Sequence, residues 1–290
     1  MTAFGIDLTG SLGRAVVVDD SGRTLRSSTF NRTELLPALR RAIAAGSGGP
    51  PPITGGVAVD PLESPDGRPD VSRMPSVGPV QIVHPGAAAI TAEHWCGAAQ
   101  GMRHAICLWV ADTVQAGLLL DGKVWPGAHG AAGAAAWLAL NPVERQDYRR
   151  FGSLAAEVSH AGLARRFVWR LEAGDTSTVL ERAGGLEAIT AAHVFAGAGD
   201  GDAVATSVVR DTARYIGMAA ANFAAIVDPE LIVIGGLPSS AGDLLIASVL
   251  KEAGRRLPPA LFARFRCELS PLGEDGIAIG AARLASMAAT

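Results

Sequence analysis

Two strand-rich blocks, each opened by hairpins, constrain what this 290-residue chain can fold into. In the first, apolar runs over 3–8 and 15–18 are joined by Thr9-Gly10-Ser11-Leu12-Gly13, and Asp19-Asp20-Ser21-Gly22 then leads into residues 24–29. Short apolar runs bounded by Gly, Asp and Ser are hairpin signals, so three antiparallel strands are expected to open the chain. In the second block, 105–110 precedes 117–120 and 123–125, which flank an Asp121-Gly122 turn. Asp-Gly between apolar runs is a strong hairpin signal, because both central residues of the favoured turn take positive φ.

What lies between and after the blocks reads differently. A helix is expected over 33–45, with Leu35, Leu36, Leu39 and Ile43 on one face, and 46–52 breaks it. Strands follow at 53–59 and 80–83, separated by a polar, Pro-rich exposed loop over 60–78. A helix over 87–103 leads into the second block. Past Trp137 the chain is mainly helical, at 154–173, 189–198 and 202–226. A buried strand at 231–234 ends in Gly235-Gly236, and helices over 243–256 and 276–288 close the chain. The class is α/β, without the strict strand–helix alternation of a Rossmann domain and without a 20–50-residue repeat.

Composition removes several functions. Lys and Arg number 25 against 28 Asp and Glu, for a net charge of −3, and no basic block stands out, which argues against a nucleic-acid surface. Cys96, Cys107 and Cys267 lie in apolar stretches without a CxxC pair, as expected of reduced, buried thiols in a cytoplasmic protein. No signal peptide and no apolar run of membrane-spanning length is seen.

Three well-separated stretches point further. The first is Gly5-Ile6-Asp7-Leu8-Thr9-Gly10-Ser11 followed by Val16-Val17-Val18-Asp19. The second runs from Ala92-Glu93-His94-Trp95-Cys96-Gly97-Ala98-Ala99-Gln100-Gly101 through Leu118-Leu119-Leu120-Asp121-Gly122-Lys123 to Gly127-Ala128-His129-Gly130-Ala131-Ala132-Gly133. The third runs from Asn222-Phe223 through Val227-Asp228-Pro229-Glu230 to Ile234-Gly235-Gly236. Together and in this order they resemble the ROK family of sugar kinases and repressors. The resemblance implies a ribonuclease-H-like, two-lobed fold of the actin/hexokinase type, with two β-sheet lobes flanked by helices. It implies an N-terminal lobe over 1–106, a larger C-terminal lobe over 107–275, a last helix over 276–290 packing back on the first lobe, and a homodimer through the C-terminal lobe.

The same resemblance exposes what is missing. The first loop keeps Asp7, Gly10 and Ser11 of the family's phosphate hairpin, but Thr9 replaces a Gly. Asp7 reads equally as a metal–phosphate carboxylate or as the cap of an ordinary turn. Gly235 and Gly236 match the turn facing the adenosine. The second phosphate loop, usually G-T-G-x-G-x-G, reads Ala111-Asp112-Thr113-Val114-Gln115-Ala116-Gly117 and is expected to be a solvated hairpin turn, with Asp112 repelling a polyanion. The family's Asn-Asp pair, whose Asp is the catalytic base, falls on His84 and Pro85; His84 is the nearest replacement base, although a loop histidine before proline is the plainer reading. The zinc signature is substituted throughout: the sugar-contacting Glu and His become Ala134 and Trp137, and the Cys positions between Gln146 and Ala155 hold no ligand, so no zinc is expected. Trp137, Tyr148 and Phe151 are expected to fill the vacated space as an apolar cluster. Asp60 and Asp66 resemble the loop beside the sugar, and Trp95, Trp109, Trp125 and Trp137 read as core residues or pyranose platforms.

These losses together imply a non-catalytic homologue binding a metabolite, a sugar or a protein partner, with at most weak ATP–Mg binding. The alternative is a working sugar or small-molecule kinase with rerouted residues. A DNA-binding repressor is not expected, since the first strand begins at Ala3 with no preceding helix-turn-helix.

Overall fold

The computed structural model describes residues 2–32, 37, 54–60, 80–238 and 242–288. The expected helix over 33–45, its breaker, and the loop after Asp60, with Asp66, lie outside the described residues apart from Pro37.

The first block forms β1 (Ala3–Asp7), β2 (Leu12–Val18) and β3 (Thr24–Asn31), followed by β4 (Thr54–Ala58) and β5 (Val80–Val83). The second forms β6 (Ala105–Val110), β7 (Val114–Leu120) and β8 (Lys123–Val124), joined later by β9 (Leu231–Gly235) and β10 (Cys267–Leu269). The sheet orders are β3-β2-β1-β4-β5 and β10-β9-β6-β7-β8. In each sheet an antiparallel meander lies on one side of the first strand, and two later strands add in parallel on the other. The two lobes therefore repeat one topology although their sequences do not repeat.

Two helices lie between the sheets. The helix α1 (Pro85–Cys96) packs on β6 and β7, and the last described helix (Gly276–Ala288) packs on β1, β2 and β4 while crossing α1. Small residues allow this approach. A Cβ at Gly5 would sit 1.8 Å from the Ala278 carbonyl oxygen, and one at Gly280 would sit 1.7 Å from that of Ala88. No side chain fits at either crossing, so the glycines bring helix backbone directly against strand and helix backbone.

The C-terminal lobe carries the remaining helices. In chain order they are α2 (Gln146–Phe151), α3 (Ser153–Val158), α4 (His160–Glu172), α5 (Thr178–Ala183), α6 (Ala191–Gly199), α7 (Ala203–Val227), α8 (Gly242–Arg256) and α9 (Pro259–Phe262); Gly276–Ala288 is α10. Its core joins Ile106, Leu108 and Val110 of β6 to Val209, Ile216 and Ala220 of α7. No helix among the described residues is long and apolar enough to cross a membrane.

Two expected helices are shorter than periodicity suggests. The one reaching to 103 stops at Cys96 because buried Glu93 turns its carboxylate onto the Ala98 amide (2.9 Å) and accepts the Ser270 hydroxyl. The one over 154–173 breaks at Ser159, whose Oγ accepts the Gly162 amide at 3.1 Å and caps α4. The short strand β10 had no separate signal, since three residues carry too little alternation to read.

Candidate functional site

The topologically equivalent hairpin tips, β1–β2 and β6–β7, face each other across the cleft. At the first, Asp7 closes β1 and is 9% exposed. Its Oδ1 accepts the Thr9 amide at 2.8 Å and the Thr9 hydroxyl at 2.7 Å. Burial pushes the Asp7 carboxyl upward, against the Thr9 bonds and the Arg14 guanidinium. Thr9 is thus the residue that caps Asp7, not simply a bulkier replacement for Gly.

The second tip differs from its expected form. Strand β7 begins at Val114, so the loop is only Ala111-Asp112-Thr113, and Asp112 is not a freely solvated turn residue. Its Oδ2 accepts the Ser11 amide at 2.7 Å, and its Oδ1 lies 3.3 Å from His160 Nδ1. His160 opens α4, and its own amide donates to the Ala111 carbonyl at 2.9 Å. The His160 contact, followed by the Ser11 bonds, holds the Asp112 carboxyl far below the usual carboxylate range in spite of desolvation. One carboxylate therefore ties the two lobes, using a turn amide that would otherwise be open to an anion.

Asp7, Gly10, Ser11 and Gly236 share a cavity of about 230 Å³ with Asp112 and His160. Gly236 has φ +78°, and a Cβ there would stand 2.7 Å from the Val110 carbonyl oxygen; one at Gly235 would stand 2.6 Å from the Trp109 ring. Packing against Trp109 thus accounts for both glycines before any nucleotide is considered.

A second cavity, of about 580 Å³, adjoins the first and shares Thr9 and Asp112 with it. Asp60, Thr113, Gln115, Trp137 and Phe151 line it. Gln115 Nε2 donates to Asp60 Oδ2 at 2.9 Å. Thr113 Oγ1 and Gln115 Oε1 are buried with no hydrogen-bond partner among the described residues. Buried polar atoms are normally satisfied, so this wall suits a polar ligand. Trp137 and Phe151 are 50% and 44% exposed, so they do not form the expected apolar cluster with Tyr148. Tyr148 is instead buried, donating its hydroxyl to Glu157 Oε1 at 2.5 Å. Of the other tryptophans, Trp109 is buried beside the smaller cavity, Trp95 lies under Arg283, and Trp125 is exposed beyond β8.

His84 is the N-cap of α1: its Nδ1 accepts the amides of Gly86 at 3.1 Å and Ala87 at 3.4 Å. Burial lowers its pKa, with the Asp60 charge opposing. It lines neither cleft cavity. Between Gln146 and Ala155 the side chains present do not fit zinc, and no group of three or more potential metal ligands occurs among the described residues.

Sequence reasoning singled out Asp112 but not its role, and it missed His160, Thr113 and Gln115. A polar residue just after a β-strand turn is a weak signal, and nothing in sequence links position 160 to 112. Comparison with known proteins agrees with the architecture. The family model described as "ROK family" matches residues 77–288. A glucokinase of Halalkalibacterium halodurans is 29% identical over 204 residues, covering 70% of this chain and 62% of the relative. A bifunctional NanE/NanK enzyme of Brucella melitensis is 31% identical over 212 residues, covering 72% of this chain and 35% of the relative. The matched segment thus spans less than two thirds of either relative. Among solved structures, a ROK family glucokinase from Streptomyces griseus, in complex with glucose and AMPPNP, superposes with a TM-score of 0.85 at 25% identity, over 99% of this chain and 100% of that one. A ROK family transcriptional regulator, a homologue of the Escherichia coli MLC protein, does so with a TM-score of 0.79 at 20% identity, over 97% and 76%. With its duplicated sheets, its cleft and a family model covering most of its length, the chain belongs to the ROK family.

Proposed function

We propose that the chain is a non-catalytic sugar-kinase homologue that binds a small polyhydroxylated molecule, a sugar, in the interlobe cleft. The observation carrying this reading is the Asp112 carboxylate seated on the Ser11 amide. A phosphate oxygen seeking that amide has to displace an internal anion. At about 4 Å from it, a unit negative charge is repelled by about 4 kcal/mol at the effective dielectric of a partly buried site. The base position supports the same reading, because Pro85 cannot accept a proton and the His84 Nδ1 lone pair is committed to the α1 amides. Binding of ATP–Mg is weak on this view. Sugar hydroxyls are matched by Asp60, Gln115 and Thr113, and the exposed faces of Trp137 and Phe151 suit the apolar face of a pyranose.

One observation favours a second reading, in which the chain is an active kinase. Asp60 lies two residues past the end of β4 in the larger cavity, close enough to His84 to act on its charge, and its carboxylate is a chemically competent base. The test is ATP-dependent phosphorylation across a panel including glucose, N-acetylglucosamine and N-acetylmannosamine, run beside calorimetric sugar binding. Binding without turnover is the expected result. Robust turnover that is lost in Asp60→Asn overturns the non-catalytic reading and makes Asp60 the base. We further propose lobes over 1–106 and 107–275 with the segment 276–290 returning to the first, and a homodimer through the C-terminal lobe; light scattering tests the dimer.

A further inference from the structure

On the C-terminal lobe, α4, α7 and α8 enclose a separate open groove of about 680 Å³. Its chemistry is built on buried carboxylates that each hold more than one cation. Glu157, with its side chain only 4% exposed, lies 3.3 Å from Arg145 and 3.8 Å from Arg166. Glu252, 9% exposed, lies 2.7 Å from Arg256 and 3.5 Å from Arg255. Asp211 pairs with Arg214 at 3.0 Å, and Asp175 pairs with Arg170. Each buried glutamate is therefore over-neutralised, and six guanidinium groups line the groove against three carboxylates, Glu157, Asp211 and Glu252.

The excess grows next door. A contiguous groove between α7 and α8 shares Asp211, Arg214, Glu252 and Arg255 and adds Arg210 and Lys251. Neither of these two has an ion-pair partner among the described residues. Eight cations then stand against three lining carboxylates, or four with Asp175 beside Arg170, an excess of at least four on a chain whose net charge is −3. Such a concentration of like charge costs self-repulsion and is relieved by an anion. The buried glutamates fix the guanidinium groups in place beforehand, as planar forks suited to phosphate oxygens.

We infer that this groove binds a small molecule carrying a phosphate or pyrophosphate group. Its volume lies in the small-ligand range. Trp169, 47% exposed, and Tyr215 line the same groove and supply an apolar wall for an organic body. A second copy of the chain fits poorly, because a two-fold contact sets the positive excess against itself.

The test is calorimetry of the full chain in 150 mM chloride, without magnesium, using inorganic phosphate, inorganic pyrophosphate and glucose 6-phosphate as probes. Arg214→Gln/Arg255→Gln is the diagnostic variant, since both side chains are more than half exposed and their loss spares the core. We expect one-site binding of at least one probe, weakened tenfold or more in the variant, with its unfolding midpoint within about 2 °C of the parent. A stronger response to glucose 6-phosphate than to the inorganic probes identifies a phosphate ester; the reverse identifies a free phosphate. The inference is overturned by heats no larger than those of added chloride at equal ionic strength, or by binding that the variant leaves unchanged. It is equally overturned if a 20-bp DNA duplex competes the probes off at the same salt, which would make the groove a nucleic-acid surface. Conversion of a dimer to a monomer by the variant, without any probe binding, would make it a subunit interface.

Discussion

The two hairpin tips that meet in the cleft occupy equivalent places in two sheets of one topology, yet they carry opposite chemistry. The β1–β2 tip offers backbone amides and a carboxylate, Asp7, whose Oδ1 is held by Thr9. The β6–β7 tip offers no glycine at its turn and sends Asp112 across the cleft to take one of those amides. The first tip keeps the form of an anion-binding loop; the second supplies the anion. Equivalence of topology thus says where a loop will be, while the side chain at its apex decides whether the loop is open to a ligand or closed by the protein itself.

The largest effect that would sharpen this contrast concerns glycine. Gly236→Ala combines a positive φ with a 2.7 Å approach to the Val110 carbonyl, so a loss of about 3 kcal/mol in urea unfolding is expected. Gly10→Ala, on the β1–β2 tip, brings its new Cβ 3.2 Å from Leu12 O and 3.3 Å from Asp112 Oδ2 and should cost less than about 1 kcal/mol. Equal losses at the two sites would show that the β1–β2 tip is as rigid as the glycine turn.

Next in size is Asp112→Ala. It leaves the Ser11 amide without its acceptor, at a cost of about 1–2 kcal/mol, and removes the charge that opposes phosphate. ATP should bind at least tenfold more tightly by calorimetry. Unchanged ATP affinity would break the comparison, because the carboxylate would then not be what closes the loop.

His84→Ala should cost about 1 kcal/mol through the lost α1 cap. The cap is also pH-sensitive. The folded-state pKa of His84 is lowered by burial, so the unfolded chain takes up the proton first. This contribution is complete above the ordinary value of about 6.5 and declines as pH falls below it toward the folded value. His84→Asn keeps a capping oxygen and should flatten that part of the stability profile. A slope that survives in His84→Asn assigns it to another group.

Smallest on the stability scale is Trp137→Ala, expected to stay within about 0.5 kcal/mol because the ring is half exposed. Its effect should fall on sugar affinity instead, reduced about tenfold if the ring is a pyranose platform. A stability loss with intact sugar binding would move Trp137 from the site to the scaffold.

Much of the architecture was legible in the amino-acid order alone. The strands over 80–83 and 105–110 and the helix over 276–288 match their expected bounds, because each is a continuous apolar or small-residue run with clear punctuation. The two-lobed class and the cleft followed from the three family-like stretches in order. Of the residues that the resemblance singles out, the structure brings Asp7, Gly10, Ser11 and Gly236 to one cavity and Asp60 to the next. What sequence could not say is which groups satisfy one another. Asp112 read as a solvated turn residue because its partners are 101 residues earlier and 48 residues later in the chain. Trp137 and Phe151 read as filler because exposure is a property of packing, and His84 read as a candidate base because capping depends on which way its ring turns. Local propensity and pattern act over a few residues. Hydrogen-bond partners, burial and the charge left unmatched around a cavity are set only when distant segments meet, and those decide whether the cleft is open or closed.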